Sequence, residues 1–388
     1  PVTLLDGTIL AAAGGNQTVS APVVLAETAA ELTGGGATLT VSGVVSGPGV
    51  LVKTGGDAVA LMAANTLSNG VVVRAGTLYG GAAAAFGTTG TITVGDSGSD
   101  ATDISVLLRH AVDITRPVVV TPNGSGTVRI GKANESGAAD ATSFDGGLTL
   151  NGRSVTLVHA GNDRANFGGT LTGTGDVVVV NTDGGASRVS WSMIATNWTG
   201  NIIITGALAR LQTFVVGNAI NDNADVAIWG AGSAFWINQN EAVDAITGDG
   251  SIVPFAANST LTLWAGGGSG TFSGTISNNA ANTITIIKTG AGTQTLGGPT
   301  VYSGNTEVWG GTLAFGPGST MSSSTQFVVS NGATLDVTSP GLVLLTNRTL
   351  RGGGTVTGAV IATGTARLVP GTGGPGGTRE TFTINGNV

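Results

Sequence analysis

One stretch of this chain occurs twice. Leu51–Tyr79, LVKTGGDAVALMAANTLSNGVVVRAGTLY, lies without a gap on Ile286–Ala314, IIKTGAGTQTLGGPTVYSGNTEVWGGTLA, 235 positions later. Lys53-Thr54-Gly55 falls on Lys288-Thr289-Gly290, Ser68 on Ser303, and Gly76-Thr77-Leu78 on Gly311-Thr312-Leu313. A repeat constrains a fold more than any local signal, because each copy must build the same unit and bury its apolar face on a neighbour.

Inside each copy, single Leu, Val or Ile residues alternate with Thr and Ser and are broken by Gly, Asn and Asp. The same pattern fills most of the chain, as in "ATLTVSG" (Ala37–Gly43), "GLTLNGRSVTLVHAG" (Gly147–Gly161) and "STLTLWAGG" (Ser259–Gly267). Period-two alternation over four to six residues predicts short strands. Asn123-Gly124, Asp145-Gly146, Asp249-Gly250 and Asn331-Gly332 mark turns. Ala21–Leu32 is the candidate helix, although Val23 and Val24 favour a strand. Two all-β solutions fit, stacked sandwiches or a parallel β-helix. A unit of about 30 residues is too short for a sandwich of about 100, so the β-helix is expected. In it, one inward residue per short strand fills a narrow core, and Gly supplies the positive φ of sharp corners.

The composition agrees. Among 388 residues, 67 are Gly and only 10% are charged, against about 7% and about 25% in an ordinary globular domain. Mean hydropathy is +0.32, which excludes a disordered chain. Net charge is −7 with no basic run, so no nucleic acid is expected as a partner. The absence of Cys excludes zinc–thiolate sites, a cysteine nucleophile and disulfides. The chain starts at Pro1 without an initiator Met, as expected for a processed or excised chain.

"LVKTGGDAVALMAANTLSNGVVVRAGTL" and, more closely, "IIKTGAGTQTLGGPTVYSGNTEVWGGTL" resemble the autotransporter-associated β-strand repeat. That pattern is a strand, Lys-Thr-Gly-x-Gly, a short strand, a Tyr-Ser-Gly turn and Gly-Thr-Leu. Leu350–Gly377 resembles the stretch that follows such repeats. The resemblance implies a right-handed parallel β-helix, secreted from or displayed on Gram-negative bacteria as a structural or adhesive passenger, with its outer-membrane anchor outside this chain. The first and a middle copy depart from the pattern, with Asp57 and Ala58 in place of the second Gly and Thr, and Thr182-Asp183-Gly184 in place of Lys-Thr-Gly. The expected organisation is one continuous solenoid over 1–388, with repeat-like units near 38–79, 166–208 and 271–316 and a passenger-like segment over 317–388.

Chemistry-bearing residues are few. His110 and His159 stand in no recognisable nucleophile turn. Gly266–Gly270 lacks the helix and the Lys-Ser/Thr of a phosphate loop. Cleavage of glycans needs paired carboxylates, for which Asp96, Asp100 and Asp103, and Asp222 with Asp225, are the candidates. Turn-capping is the expected role of both groups. No cofactor is implied, except that Asp96, Asp100 and Asp103 offer oxygen ligands of the kind calcium takes. All six Trp fall within residues 191–309, and Trp229, Phe235 and Trp236 are the candidate stacking surface for host or biofilm glycans. Open strand edges at the two ends, carrying Val2, Leu4, Phe382 and Ile384, are the candidate surfaces for end-to-end self-association. The expected function is thus a non-catalytic extracellular stalk or adhesin. A carbohydrate-binding or polysaccharide-cleaving β-helix is the alternative.

Overall fold

A computed structural model of the protein describes residues 1–134, 141–214, 219–264, 269–371 and 381–387. Parts of three sequence features, Ser259–Gly267, Gly266–Gly270 and Leu350–Gly377, lie outside the described residues. The fold is a β-solenoid of about 16 turns. The described residues contain short parallel strands and one 3-10 turn at Met321–Ser323, but no α-helix. The helix candidate at Ala21–Leu32 is instead two strands, Val23–Leu25 and Ala29–Thr33. Their alternate inward residues Val23, Leu25, Ala30 and Leu32 are all buried, which satisfies the β-branched preference at no helical cost.

The chain forms two compact units, Pro1–Gly200 and Asn201–Val388. In the first unit each coil contributes strands to three faces. One face opens with Val2–Leu4, Val23–Leu25, Val45–Gly47 and Thr66–Leu67. A second sheet, Asp113–Ile114 to Arg188–Trp191, follows further along the chain at the same place in the coil. The next face has nine strands, from Ile9–Ala11 to Ile194–Thr199. The third runs from Gln17–Val19 to Val177–Asn181. Successive coils stack in register, so inward residues form columns. Val71, Ile92, Val118, Leu148 and Leu171 make one, and every member is at most 4% exposed. Phe144 stacks on Phe167 of the next coil at 5.4 Å. Outward, Thr149 and Thr172 join hydroxyls at 3.1 Å.

The second unit repeats the scheme. One face runs from Ile202–Thr205 to Thr383–Asn385. The next runs from Arg210–Thr213 to Thr300–Val301. The third has seven strands, from Asn240–Val243 to Arg367–Pro370. A column of Leu261, Ile286, Thr306, Phe327 and Leu350 fills its core. Side chains alternate along each strand, so one buried column per inward position fills the core.

Candidate functional site

The two repeat copies use the same strands in the same order. Val50–Lys53, Ala58–Leu61, Thr66–Leu67, Val71–Val73 and Gly76–Gly80 correspond to Ile284–Lys288, Thr293–Leu296, Thr300–Val301, Thr306–Val308 and Thr312–Phe315. Each lysine stands two residues after an inward apolar residue, Leu51 or Ile286, and so points into the core. Both are fully buried. Lys53 Nζ donates to the carbonyl oxygens of Thr54, Gly55 and Ala75, each at 2.8 Å. Lys288 Nζ donates to the equivalent oxygens of Thr289, of Gly290 at 3.1 Å and of Gly310 at 3.5 Å. Where the chain turns, these carbonyls point inward, and the ammonium supplies the partners that a buried oxygen requires. Burial lowers the Lys53 pKa to about 8, against an opposing pull from Asp57. The same desolvation lowers that of Lys288, with Asp244 opposing.

Gly76 and Gly311 close the matching corner with φ of 71° and 60°. A Cβ on Gly76 would strike the carbonyl oxygens of Asp57 and Gly55, and one on Gly311 those of Gly292 and Gly290. The glycine is therefore required twice over, by backbone conformation and by space. The turn after the short strand differs between the copies. Buried Tyr302 shares a 2.8 Å hydrogen bond with Thr306 Oγ1, which bonds to Ser324 Oγ at 3.1 Å. In the first copy the two positions are Leu67 and Val71, both buried. A polar pair has been exchanged for an apolar pair as a unit.

The three aspartates do not converge. Asp96 accepts Arg74 Nε at 2.9 Å and the Gly98 amide at 2.8 Å. Asp100 accepts the Thr102 amide at 2.7 Å, and bonds to Thr102 hold its pKa below the usual carboxylate range. Asp103 accepts Arg129 Nη1 at 2.7 Å and the Thr127 amide at 2.8 Å, Arg129 being the main cause of its lowered pKa. They cap turns and pair with arginines, and among the described residues no three His, Cys, Asp or Glu groups gather to hold a metal ion. Asp222 acts electrostatically on Glu241. The pKa of Asp225 is raised by burial and then by Asp244. His159 is buried with Nδ1 2.7 Å from Ser187 Oγ, and His110 sits exposed on a turn at φ 57°.

Nor do Trp229, Phe235 and Trp236 form one surface. Trp229 is 47% exposed, whereas Phe235 is in the core. Trp236, one residue on, faces the other way and stacks on Phe255 at 5.4 Å, with the Arg210 guanidinium 5.4 Å over its ring. Strand alternation separates neighbours in sequence onto opposite faces. Trp191 and Trp198 are buried, while Trp264 and Trp309 are 46% and 52% exposed. At the ends, Leu4 is buried and Val2, Phe382 and Ile384 are half-buried. The most outward apolar groups of the first coil are instead Leu5 and Ile9.

The model of the Passenger-associated-transport-repeat family matches residues 51–79 and 286–315. The chain carries two passenger-associated transport repeats. These are the segments that build the two lysine corners, and together with the β-solenoid they fit an autotransporter passenger. No curated protein and no solved structure matches. The role of the lysines escaped sequence reading because Lys is rarely buried. Its inward parity after Leu51 and Ile286 was the available signal.

Proposed function

We propose that this protein is a secreted or cell-surface β-solenoid scaffold of the passenger type. It performs no catalysis and carries adhesive contacts on its outward side chains. The observation behind this reading is the corner built twice, to the same hydrogen-bond plan, by segments that match a passenger-associated transport repeat. Outward positions vary between the copies, as where Arg74 stands in one and Trp309 in the other. A scaffold of this kind can change its contacts without changing its fold.

The non-catalytic part is supported by the uses of the carboxylates. Asp96, Asp100 and Asp103 are engaged by backbone amides and arginines, unlike a general acid facing a base across a cleft. Two experiments test the reading. Intact cells of the native host should expose the chain to antibody and to added protease, and a chain protected until lysis would refute surface display. Purified protein should release no reducing ends or unsaturated products from a panel of polysaccharides. Cleavage lost in Asp100→Asn or Asp222→Asn would refute the scaffold reading.

A further inference from the structure

Trp264 and Trp309 lie on one column of the second unit. Each follows the last inward residue of a strand on the seven-stranded face, Leu263 or Val308, and so points outward. The backbone ladder continues through them. Trp264 N donates to Val243 O, Thr289 N to Leu263 O, and Trp309 N to Lys288 O, each at 2.8 Å. The two indoles are therefore two coils apart, about 9.6 Å along the stack at about 4.8 Å per coil. Thr289 lies between them, its hydroxyl buried without a hydrogen-bond partner. Beside this column, on the same face, Thr262, Ile287 and Glu307 stack in register. Trp309 Nε1 donates to Glu307 Oε2 at 3.0 Å, which holds that ring in place and leaves its face to solvent.

We propose that Trp264 and Trp309 form a binding platform for an extended, uncharged glycan lying along the stack. Half-exposed indoles held by backbone pairing provide flat apolar surfaces at low entropic cost. Their two-coil separation suits sugar rings two residues apart in an extended chain. The Glu307 carboxylate, beside the Trp309 ring, offers acceptor oxygens that sugar hydroxyls need. The charge selects the occupant. From Asp244 to Ser330 in one column, and from Ala242 to Val328 in the other, the only charges are Asp244 and Glu307. Both are negative, and the next cation of these columns, Arg351, stands one coil beyond Val328, so over the Trp264–Trp309 span an acidic polymer is disfavoured. This inference does not depend on export of the chain.

The test is calorimetric titration of the full chain with cellohexaose, chitohexaose and a hexamer of galacturonic acid. At least one neutral hexamer should bind. Trp264→Ala and Trp309→Ala should each weaken it about tenfold or more, and the double variant should abolish it. Trp309→Phe should retain most of the affinity, and Trp229→Ala should match the wild type. Circular dichroism should be unchanged throughout, since both side chains are half exposed. Failure of both neutral hexamers to bind, equal binding of the acidic hexamer, or wild-type affinity in the double variant would overturn the proposal.

Discussion

Lys53 and Lys288 occupy core positions where an apolar residue would leave three inward carbonyls unpaired. Lys288→Met keeps most of the volume but removes those bonds. It should lower stability by about 2–4 kcal/mol, read as a drop in urea midpoint, with Lys53→Met behaving alike. Glu241 is a further buried ionisable residue, 2% exposed, accepting the Ala219 amide at 3.1 Å and the Ile220 amide at 3.0 Å. Burial is the main cause that pushes its pKa up from 4.5 to about 8. Between those two values the folded chain holds a proton that the unfolded chain has lost. The contribution of Glu241 is therefore complete below about pH 4.5 and declines as pH rises to about 8. Glu241→Gln should flatten this limb, leaving stability near pH 4.5 little changed and raising it at pH 8. Thermal unfolding across that range checks it, and an unchanged slope would count against it.

At the scale of elements, the strands are interchangeable and the corners are not. Gly311→Ala forces a side chain into φ 60° and against two carbonyl oxygens. It should cost at least about 2 kcal/mol, whereas Ala at Gly332, at φ 78° with open space around it, should cost less. Melting temperatures of the two variants compare them directly. The turn after the short strand makes a second test. Thr306→Val removes the partner of the buried Tyr302 hydroxyl and should destabilise by about 1–3 kcal/mol. Adding Tyr302→Leu reproduces the Leu67–Val71 pair of the first copy. The double variant should lose less than the sum of the singles, and simple additivity in a double-mutant cycle would refute that coupling.

Parity is also the element-scale reason that part of the candidate site was legible and part was not. The strands, their alternation and the Gly corners could be read from spacing in Leu51–Tyr79 and Ile286–Ala314. Trp229, Phe235 and Trp236 look like a cluster in sequence, yet one residue of register puts Phe235 in the core and Trp236 under Arg210 and Phe255. Trp264 and Trp309 look unrelated, 45 positions apart, yet two coils of stacking place them on one column. Proximity across coils depends on coil lengths, which vary with each turn and insertion.

For the molecule as a whole, coils of a solenoid meet only their neighbours, and a strand with an open edge can pair with another chain. Among the described residues, Val2–Leu4, Ile9–Ala11 and Gln17–Val19 each pair on one side only, as does Thr383–Asn385. End-to-end assembly through such edges is the proposal at this scale. Electron microscopy and sedimentation over a range of concentrations should show fibres that lengthen with concentration and shorten in Ile9→Lys. A chain that stays monomeric at high concentration would refute it.

The sequence by itself determined the class of fold, because period-two alternation, Gly corners and an ungapped repeat leave few other ways to bury the apolar residues. It also located the repeats that relate the chain to passengers. Only the tertiary structure decided which polar residues are internal and which aromatic residues share a face. Lys53, Lys288 and Glu241 are buried because folded corners aim carbonyls and amides at them, and Trp264 meets Trp309 because stacking converts distance along the chain into a rise of a few ångströms per coil.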